Sequence, residues 1–425
     1  MKYRIVKGMS DIYLSDVYKW QFVEQKARSF FGQRLYEEIR TPIVEYTELF
    51  TRSIGETTDI VNKEMYSFRD RGNRSLTLRP EMTASIVRSV IENNLLSKRE
   101  PLKLFYYGPM FRAERPQAGR RRQFFQIGVE VIGNDDPFCD AEVIKDLLFY
   151  LEAVGLKRDE VTVQINNVGG PCCRPGYLKK LKEYFSKYKE SLCNNCKIKY
   201  EKNILRIFDC KNNDCIKLTQ AAPKVSDEVC SNCKSHFDGV SKELKSFGIP
   251  FVINKSIVRG LDYYTSTVFE VTSNKLGAKD AIAAGGRYND LMKELGGENK
   301  AAVGFAIGVE RLLLCLEDKL KDYFPDIVRN SIYVAYSNEK YIEQSKGILA
   351  RLENMGFAAY ADLDRRSLNS QLKRANKFGF RWVLILNKEE VEQGIYTLKD
   401  LRSKDKFQCN ITERDFANNI QDWIK

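Results

Sequence analysis

The 425 residues suffice for two or three domains, and 69 lysines and arginines against 57 acidic residues leave a net charge of +12, which favours an anionic partner such as nucleic acid. No signal peptide and no membrane-spanning run is found, so we expect a soluble, cytoplasmic protein without a membrane partner. His236 is the only histidine and no Walker-type phosphate loop occurs, which excludes histidine-dependent triads, unless His236 itself serves, and P-loop nucleotide binding.

The chain begins with a predicted helix, capped by Ser15 or Asp16 and running to about Glu38, because apolar residues recur there at helical spacing. Pro42 then opens an extended segment, TPIVEY. A second helix follows the segment LTLRPEMTA.

That segment has two interpretations. If it is extended, Glu81 and Thr83 point the same way and can bind a ligand together. Alternatively, a helix begins at Pro80, and the Glu81 carboxylate complements its dipole.

The next stretch predicts an antiparallel hairpin, with strands Phe105–Arg112 and Phe124–Ile132 joined by the loop Ala113–Arg122. Alternation puts four residues of the second strand on one face: Phe124, Gln126, Gly128 and Glu130. Arginines crowd the loop and the strand ends: Arg112, Arg115, Arg120, Arg121 and Arg122. Guanidinium groups at this density suit a polyphosphate, although a solvated basic loop is the alternative.

After a helix (Ala141–Leu151) and a strand (Val161–Asn166), the composition becomes rich in lysine and cysteine, which indicates a small inserted domain. Two CxxC pairs in it could close a tetrahedral Zn²⁺ site, formed by Cys193, Cys196, Cys230 and Cys233. Cys210, Cys215 and His236 are competing ligands. The alternative is a helical insertion with unliganded thiols.

The main domain resumes near Val252. The segment IVRGLDYYTSTVFEVT predicts a strand ending near Thr272, and GFAIGVERLLLCL predicts a small-residue strand that enters a helix with Glu310 and Arg311 at its start. Its glycines and alanines let backbone or ligand approach closely. Alternatively, the intervening GGRY is only a turn and Arg311 is only a surface residue.

A charged linker, Asp318–Arg329, precedes a change to strand–helix alternation, which predicts a compact α/β domain with a mainly parallel sheet. Its second helix is expected from Ser367 to Phe378. Lys373, Arg374 and Lys377 on that helix form a basic face that suits RNA, or simply a solvated one.

These segments together resemble the histidyl-tRNA synthetase family of class II aminoacyl-tRNA synthetases. FRAERPQAGRRRQF is similar to motif 2 of class II enzymes, GFAIGVERLL to motif 3, and the region around Pro42 to motif 1. RGLDYYTSTVFE, LRPEMTA and AAGGRY resemble the histidine-specific signatures. Met82, Ala113 and Leu14 depart from the usual pattern, and Met82 could narrow the amino-acid pocket.

The resemblance implies an α+β catalytic domain around a mostly antiparallel sheet, at residues 1–168 and 249–325. A small inserted helical, cysteine-rich domain at 169–248 and a C-terminal α/β anticodon-binding domain at 331–425 complete it. The implied activity is histidine–tRNA ligation, with ATP, Mg²⁺, L-histidine and tRNA(His) as reactants and partners. A homodimer is expected, as is a cytoplasmic role in protein synthesis.

The resemblance also implies residue roles, with Arg112 bridging the reacting carboxylate and α-phosphate and Arg259 contacting the α-phosphate from the opposite side. The implied histidine-binding residues are Glu81, Thr83, Arg112, Gln126, Glu130, Arg259, Tyr263, Tyr264, Arg287 and Tyr288. The implied ATP-binding residues are Arg112, Glu114, Arg120, Phe124 and Arg311. Arg115 and Gln117 are expected to contact the acceptor end of the tRNA.

Rival interpretations are a regulatory subunit of ATP phosphoribosyltransferase, which shares the core, and an RNA-binding module with an inactive synthetase core. The first usually lacks the C-terminal domain and much of RGLDYY. The second would be expected to lose the motif arginines. A synthetase for another amino acid is disfavoured by the pairing of Glu130 with RGLDYY.

Overall fold

The structure is a computed structural model that describes residues 3–56, 58–210, 212–257, 261–276, 281–321, 323, 325, 328, 330–393, 395–403 and 406–410. They form two compact units, a larger one within residues 1–321 and a smaller one that includes the chain from residue 322 onward. The inserted residues 169–248 belong to the larger unit. In the described part of the chain, no helix combines the length and apolar composition that crossing a bilayer requires.

The larger unit is built on an eight-stranded sheet and a three-stranded one. Their strands are β1 (Glu37–Glu38), β2 (Val44–Tyr46), β3 (Tyr66–Arg69), β4 (Ser75–Leu78), β5 (Leu102–Phe111), β6 (Gln123–Ile132), β7 (Val161–Asn167), β8 (Val252–Ile253), β9 (Thr265–Ser273), β10 (Ala281–Arg287) and β11 (Ala302–Gly308). The large sheet has the order β1-β5-β6-β11-β10-β9-β7-β8, and only its two outermost pairs are parallel. The expectation of a mostly antiparallel catalytic sheet is confirmed.

Helices surround these sheets. They are α1 (Ser15–Gly32), α2 (Thr47–Ile54), α3 (Thr83–Glu92), α4 (Pro137–Ala153), α5 (Arg174–Ser186), α6 (Asn194–Lys202), α7 (Asn213–Ala221), α8 (Ser231–Ser246), α9 (Leu291–Glu294) and α10 (Val309–Cys315). The first helix ends six residues before the predicted Glu38, because Leu35 adopts a left-handed φ of 62° and the chain turns. Tyr36 is then buried and donates its hydroxyl to Asp146, and β1 pairs with β5.

The predicted hairpin is present as β5 and β6, the second and third strands of the sheet counted from β1. Because side chains alternate along each strand, the two faces of the hairpin carry different residues. The row Phe105–Val129–Phe305 crosses three strands, and both phenylalanine rings pack on Phe31 of α1. The next row, Leu104–Glu130–Gly304, points to the opposite face. One face therefore holds the aromatic core under α1, and the other carries Glu130 next to a second apolar cluster that includes Leu104 and Val87 of α3.

The insertion is helical, as expected, with its own small core around Leu181, Phe185 and Ile207. Its last helix, α8, returns to the main domain and packs on α4. Gly239 faces Pro137 so closely that a Cβ would lie 2.9 Å from that ring. Asn167 at the end of β7 donates to the Cys233 carbonyl oxygen over 2.9 Å. The two ends of the insertion are therefore side by side.

The smaller unit alternates strands and helices as predicted. Its elements are β12 (Ile332–Tyr336), α11 (Ile342–Asn354), β13 (Ala359–Ala361), α12 (Leu368–Lys377), β14 (Trp382–Leu386), α13 (Lys388–Gln393), β15 (Ile395–Asp400) and β16 (Lys406–Asn410). The order is β13-β12-β14-β15-β16, parallel in the first three and antiparallel in the last two.

The basic face expected on α12 is smaller than predicted. Lys373 and Lys377 are exposed, but Arg374 is half-buried, bonded to Asp364 and 3.5 Å from Asp362. These aspartates follow β13, and their charge holds the guanidinium against the protein surface. Arg374 is therefore a structural residue of this unit.

Candidate active site

A cavity of about 550 Å³ lies on the polar face of the large sheet. Strands β6, β9, β10 and β11 form its floor, and the start of α3 and the arginine loop between β5 and β6 form its walls. Small residues leave open space above the strands that form the floor. At Gly304 an added Cβ would lie 1.9 Å from a carboxylate oxygen of Glu130, and at Gly128 it would lie 2.4 Å from the Tyr106 hydroxyl. The sequence-based expectation that these residues permit close approach is confirmed.

One end of the cavity is organised by Glu130, which is fully buried on β6. It accepts hydrogen bonds from the Thr83 hydroxyl at 2.7 Å and the Tyr288 hydroxyl at 2.5 Å. Burial raises the pKa of Glu130 to about 8, and the neighbouring Glu81 carboxylate adds to the shift. This carboxyl can therefore change its protonation near neutral pH.

Glu81 has both of the roles that the sequence leaves open, since it lies at the start of a helix and also lines the cavity. Helix α3 begins at Thr83, and the Glu81 carboxylate accepts from the N–H groups of Thr83 and Ala84, at 2.7 and 2.9 Å. It thus caps the helix. The same carboxylate lines the cavity and accepts from the Tyr263 hydroxyl at 3.4 Å. Burial raises the pKa of Glu81 above its ordinary value.

Gln126 lies between Glu130 and the arginine loop on the same face of β6. Its side-chain oxygen is buried and accepts no hydrogen bond from any residue that the structure describes. Buried acceptors are almost always paired in native proteins, so an unpaired one in a cavity wall indicates a ligand donor. An ammonium group is such a donor.

The other end of the cavity is cationic. Arg112 donates from Nε to the Pro80 carbonyl oxygen at 2.9 Å, and its guanidinium carbon lies 5.3 Å from the centre of the Phe124 ring. These contacts fix the guanidinium at the junction of the α3 start and β6. Arg120 lies 3.6 Å from Glu114 across the loop.

Arg311 closes this end. It donates to the carbonyl oxygens of Gly119, at 3.2 Å, and Ala281, at 2.6 Å, so it joins the loop tip to β10. It is half-buried in the cavity wall and is not a mere surface residue. Glu310 beside it accepts from the Phe125 N–H at 3.1 Å, and burial raises the pKa of Glu310 to about 7.

Most of the predicted site residues converge on this cavity. Those that line it are Glu81, Thr83, Arg112, Glu114, Arg120, Phe124, Gln126, Glu130, Tyr263, Tyr264, Tyr288 and Arg311. Arg115 and Gln117 do not line it and are exposed on the loop. Arg259 lies outside the described residues, and Leu261, two positions on, contributes to the wall. Met82 does not narrow the cavity, because its side chain is buried in the core and accepts from the Thr41 hydroxyl.

Arg287 is the predicted pocket residue that the structure places elsewhere. It is 0% exposed and forms an ion pair with the equally buried Asp140 of α4, with a 2.5 Å contact. Burial alone would raise the pKa of Asp140, but the Arg287 charge and the His236 hydrogen bond hold it below its ordinary value. Arg287 and Tyr288 are consecutive and point to opposite sides, so only Tyr288 reaches the cavity.

Replacing Arg287 with methionine is therefore expected to lower the free energy of unfolding by about 3–5 kcal/mol, because the buried Asp140 carboxylate loses its ion pair and, among the described residues, keeps only its contact with His236. Urea unfolding followed by circular dichroism measures this loss. The KM for the amino-acid substrate should stay at its wild-type value. A stable variant with a raised KM would show that Arg287 does act in the binding pocket.

Several cavity residues escaped the sequence-based prediction. Tyr106, Glu64, Glu270 and Arg206 line the cavity without belonging to a predicted ligand set. Alternation on the first hairpin strand would have indicated Tyr106, which pairs with Gly128. Arg206 comes from the insertion and donates to Asp262 at 2.8 Å, a contact that no local motif announces.

Individual carboxylates in the cavity wall are available to a metal ion. Glu270 and Glu310 both line it. Mg²⁺ is usually held by one or two carboxylates together with substrate phosphates, so this set fits it. Within the described ranges, close groups of three or more possible ligands consist only of cysteines in and beside the insertion.

The predicted zinc quartet is wrong in its grouping. Cys193 and Cys196 lie together with Cys210 and Cys215, whereas Cys230 and Cys233 lie with Cys172 and Cys173. The two CxxC pairs belong to different parts of the insertion, because α8 returns to the main domain while α6 stays in the insertion core. His236 is not a ligand in either group and lies 3.3 Å from Asp140.

Comparisons with known proteins agree with this geometry. The model of the family described as histidyl-tRNA synthetase matches residues 8–169 and 191–312, and that of the anticodon binding domain matches residues 331–423. A histidine–tRNA ligase of Desulforamulus reducens is 46% identical over 407 residues, which are 96% of each chain. One of Halothermothrix orenii is 44% identical over 434 residues and 100% of both chains.

A solved structure extends the similarity to the whole fold. The crystal structure of apo histidyl-tRNA synthetase from S. aureus is 31% identical, covers 100% of both chains and gives a TM-score of 0.78. The similarity covers both the mostly antiparallel sheet and the C-terminal α/β unit. The chain belongs to the histidyl-tRNA synthetase family, of the class II aminoacyl-tRNA synthetases.

Proposed function

We propose that this protein is a histidine–tRNA ligase, which activates L-histidine with ATP and then transfers it to the 3′ end of tRNA(His). One observation carries the proposal. A single cavity joins a buried carboxyl with two hydroxyl partners, at Glu130, to a cationic end organised by Arg112 and Arg311. An amino acid with a polar ring and a nucleoside triphosphate can meet there.

In the first step an oxygen of the histidine carboxylate attacks the α-phosphorus of ATP. The new O–P bond forms as the bond to the β-phosphate oxygen breaks, and pyrophosphate leaves. The nucleophile is already an anion at neutral pH, so no general base is needed. Positioning two anions and stabilising the charge of the transition state is the whole task. A protein with one histidine, which lies outside the cavity, can therefore perform it.

Arginines carry that task. Arg112 bridges the carboxylate and the α-phosphate, and Arg259 contacts the α-phosphate from the opposite side. Arg120 and Arg311 hold the β- and γ-phosphates or flank the adenine. Phe124 stacks on the base, and Glu114 reads its edge. Glu270 and Glu310 would hold Mg²⁺ together with the triphosphate, and the ion would neutralise part of the phosphate charge when bound.

Histidine is selected at the other end. Glu81, Thr83 and the side-chain oxygen of Gln126, which has no partner among the described residues, receive the ammonium group. Glu130 and Tyr264 meet the two ring nitrogens, while Tyr263 and Tyr288 line the pocket. A site built to hydrogen-bond both nitrogens leaves buried groups unpaired when another side chain enters. Such sites reject analogues by about 10⁴–10⁵-fold, so editing is not required.

The second step brings the tRNA to the same cavity. Arg115 and Gln117 are exposed on the loop beside it, where the acceptor end can reach them. The C-terminal unit reads the anticodon, and Lys373 and Lys377 are exposed cations suited to the RNA backbone. The protein works in the cytoplasm, where translation takes place.

Arg115→Ala is expected to lower kcat/KM for tRNA charging by about 10-fold, the size of one charge-assisted hydrogen bond, and to leave ATP–pyrophosphate exchange unchanged. The two assays, run on the same preparation, separate the steps. Arg71→Ala, which also removes an exposed arginine but far from the loop in sequence, is the matched control. Equal loss in both assays would place Arg115 in the activation step instead.

The chain acts as a homodimer through the region around β2. Ile43, Val44 and Tyr46 are 42%, 38% and 56% exposed, which is high for large apolar residues so close together. Covering them with a second copy of the same segment would remove this apolar surface from water. Sedimentation equilibrium checks the assembly, and a monomer at micromolar concentration would refute it.

A further inference from the structure

Eight cysteines at the insertion form two compact groups of four. In the first, Cys172 and Cys173 follow β7, while Cys230 and Cys233 begin α8. The Cys172 sulfur lies 3.5 Å from that of Cys173, 3.3 Å from that of Cys230 and 3.7 Å from that of Cys233. The Cys173 and Cys233 sulfurs are 3.6 Å apart. The group joins the chain where it enters the insertion to the chain where it leaves.

The second group lies within the insertion. Cys193 and Cys196 begin α6, Cys210 follows the short helical turn Ile204–Asp209, and Cys215 lies in the first turn of α7. The sulfurs of Cys193 and Cys210 are 3.8 Å apart. In each group, all four sulfurs lie within 4.8 Å of one another.

These distances fit one geometry. A disulfide would require about 2.0 Å between two sulfurs, so none of these pairs is bonded. Four thiolates around one Zn²⁺ at about 2.3 Å form a tetrahedron whose edges are about 3.8 Å. The measured separations of 3.3 to 3.8 Å approach that edge. A thiol can pack as a small apolar group, but it is only a weak donor and acceptor, so contacts between thiols give little reason for four sulfurs to meet at one point.

Backbone contacts support the same geometry. The Cys230 N–H donates to the Cys173 sulfur at 3.0 Å, and the Cys193 N–H donates to the Cys215 sulfur at 3.4 Å. The Asn212 N–H donates to the Cys210 sulfur at 3.4 Å. Amide donors pointing at sulfur stabilise thiolates and orient them, as the outer contacts of metal ligands do. Each group also has two buried and two more accessible cysteines, which leaves a path for a metal ion.

We propose that the protein binds two structural Zn²⁺ ions, one at Cys172, Cys173, Cys230 and Cys233 and one at Cys193, Cys196, Cys210 and Cys215. Both sites are closed tetrathiolates with no position for substrate, so they hold the fold and take no part in the chemistry. The proposal does not depend on which amino acid is activated.

The ions have a specific structural task. The turn Ile204–Asp209, which ends at Cys210, carries Arg206, whose Nη2 donates to Asp262 at 2.8 Å. Arg174, directly after Cys173, donates to the carbonyl oxygens of Asp262 and Tyr264 at 3.2 and 2.6 Å. The second zinc site thus fixes Arg206 and the first fixes Arg174. Together they position the segment that carries Tyr263 and Tyr264 in the cavity wall.

Metal analysis of the full chain tests the proposal. Protein expressed in zinc-supplemented medium and purified without chelators is expected to contain about two equivalents of zinc by mass spectrometry of the elements. Cys210→Ser and Cys233→Ser should each retain about one equivalent, and the double variant none. Cys315→Ala removes a buried cysteine outside both groups and is the matched control, with two equivalents.

A result of less than about 0.3 equivalents in the wild-type protein overturns the proposal. So does a single equivalent that both variants lose, or iron in place of zinc. If the variants fail to fold, the wild-type protein still decides. Removal of zinc under reducing conditions followed by Co²⁺ should give the strong visible absorption of tetrahedral cobalt thiolates, at two ions per chain. Limited proteolysis should then cut the metal-free insertion before the rest of the chain, and equal resistance with and without metal would contradict the structural role.

Discussion

Glu130→Ala is expected to reduce histidine-dependent ATP–pyrophosphate exchange by about 10⁴-fold, because the Thr83 and Tyr288 hydroxyls lose their acceptor and the imidazole loses its partner. The loss should fall on activation and not on folding. Exchange kinetics at saturating ATP measure the first, and circular dichroism checks the second. Near-wild-type exchange with histidine would show that Glu130 does not bind the imidazole.

Glu130 also affects the stability of the protein, and this effect depends on pH. Burial raises the pKa of Glu130 to about 8, so between about pH 4.5 and pH 8 the folded protein keeps a proton that the unfolded chain loses. The free energy of unfolding therefore falls as pH rises through this window, by up to about 1.4 kcal/mol per unit from this group. Glutamine has no proton to lose.

Glu130→Gln should thus show a shallower fall of stability with pH and be more stable than the wild type at pH 8, while remaining impaired in exchange. Glu81 and Glu310, whose pKa values are also raised by burial, keep part of the slope in both proteins. Urea midpoints measured from pH 5 to pH 8.5 test this. Parallel curves for variant and wild type would show that Glu130 is not a protonated buried acid.

Arg112→Ala is the second variant with a large expected effect, a loss of about 10²–10³-fold in exchange, the size of removing one preorganised donor to transition-state charge. Arg112→Lys should recover little, because the Nε bond to the Pro80 carbonyl oxygen and the planar contact over Phe124 both require a guanidinium. Arg259→Ala, by its implied role, should show a loss of the same size.

Arg115→Ala is the internal control for this effect, since it removes an arginine of the same loop that does not line the cavity. It should keep wild-type exchange. If Arg112→Ala and Arg115→Ala were equally active in exchange, the loop would act only as a general cationic surface and the bridging role of Arg112 would be lost.

The sequence predicts the structure best where the periodicity of a segment and the chemistry of its side chains indicate the same element. The hairpin was predicted because β-formers flank an arginine loop and polar residues alternate on one strand. Alternation alone then placed Phe124, Gln126 and Glu130 on one face, and all three line the cavity. The strand and helix of GFAIGVERLL were predictable for the same reason, since small residues give way to an apolar helical pattern.

Errors arose where a side chain's direction depends on distant partners. Arg287 was assigned to the pocket with its neighbour Tyr288, although consecutive residues point apart and Asp140 takes the guanidinium. Arg374 was expected in a basic face, but the aspartates after β13 hold it.

The cysteines illustrate a different limit. Spacing identifies CxxC pairs but not which pairs meet in the fold, and it does not single out Cys172 and Cys173, which form no such pair. Their place was set by the return of α8 to the end of β7, a tertiary contact made by Asn167 and the Cys233 carbonyl oxygen. The contribution of Arg206 to the cavity has the same origin, in the packing of the insertion on the Asp262 segment.

ATP–pyrophosphate exchange with each of the standard amino acids in turn is the most direct measurement of the central proposal. The Glu130 end of the cavity and its arginine end predict exchange that depends on histidine and is weaker by orders of magnitude for every other amino acid. No exchange with histidine, or equal exchange with another amino acid, would contradict it.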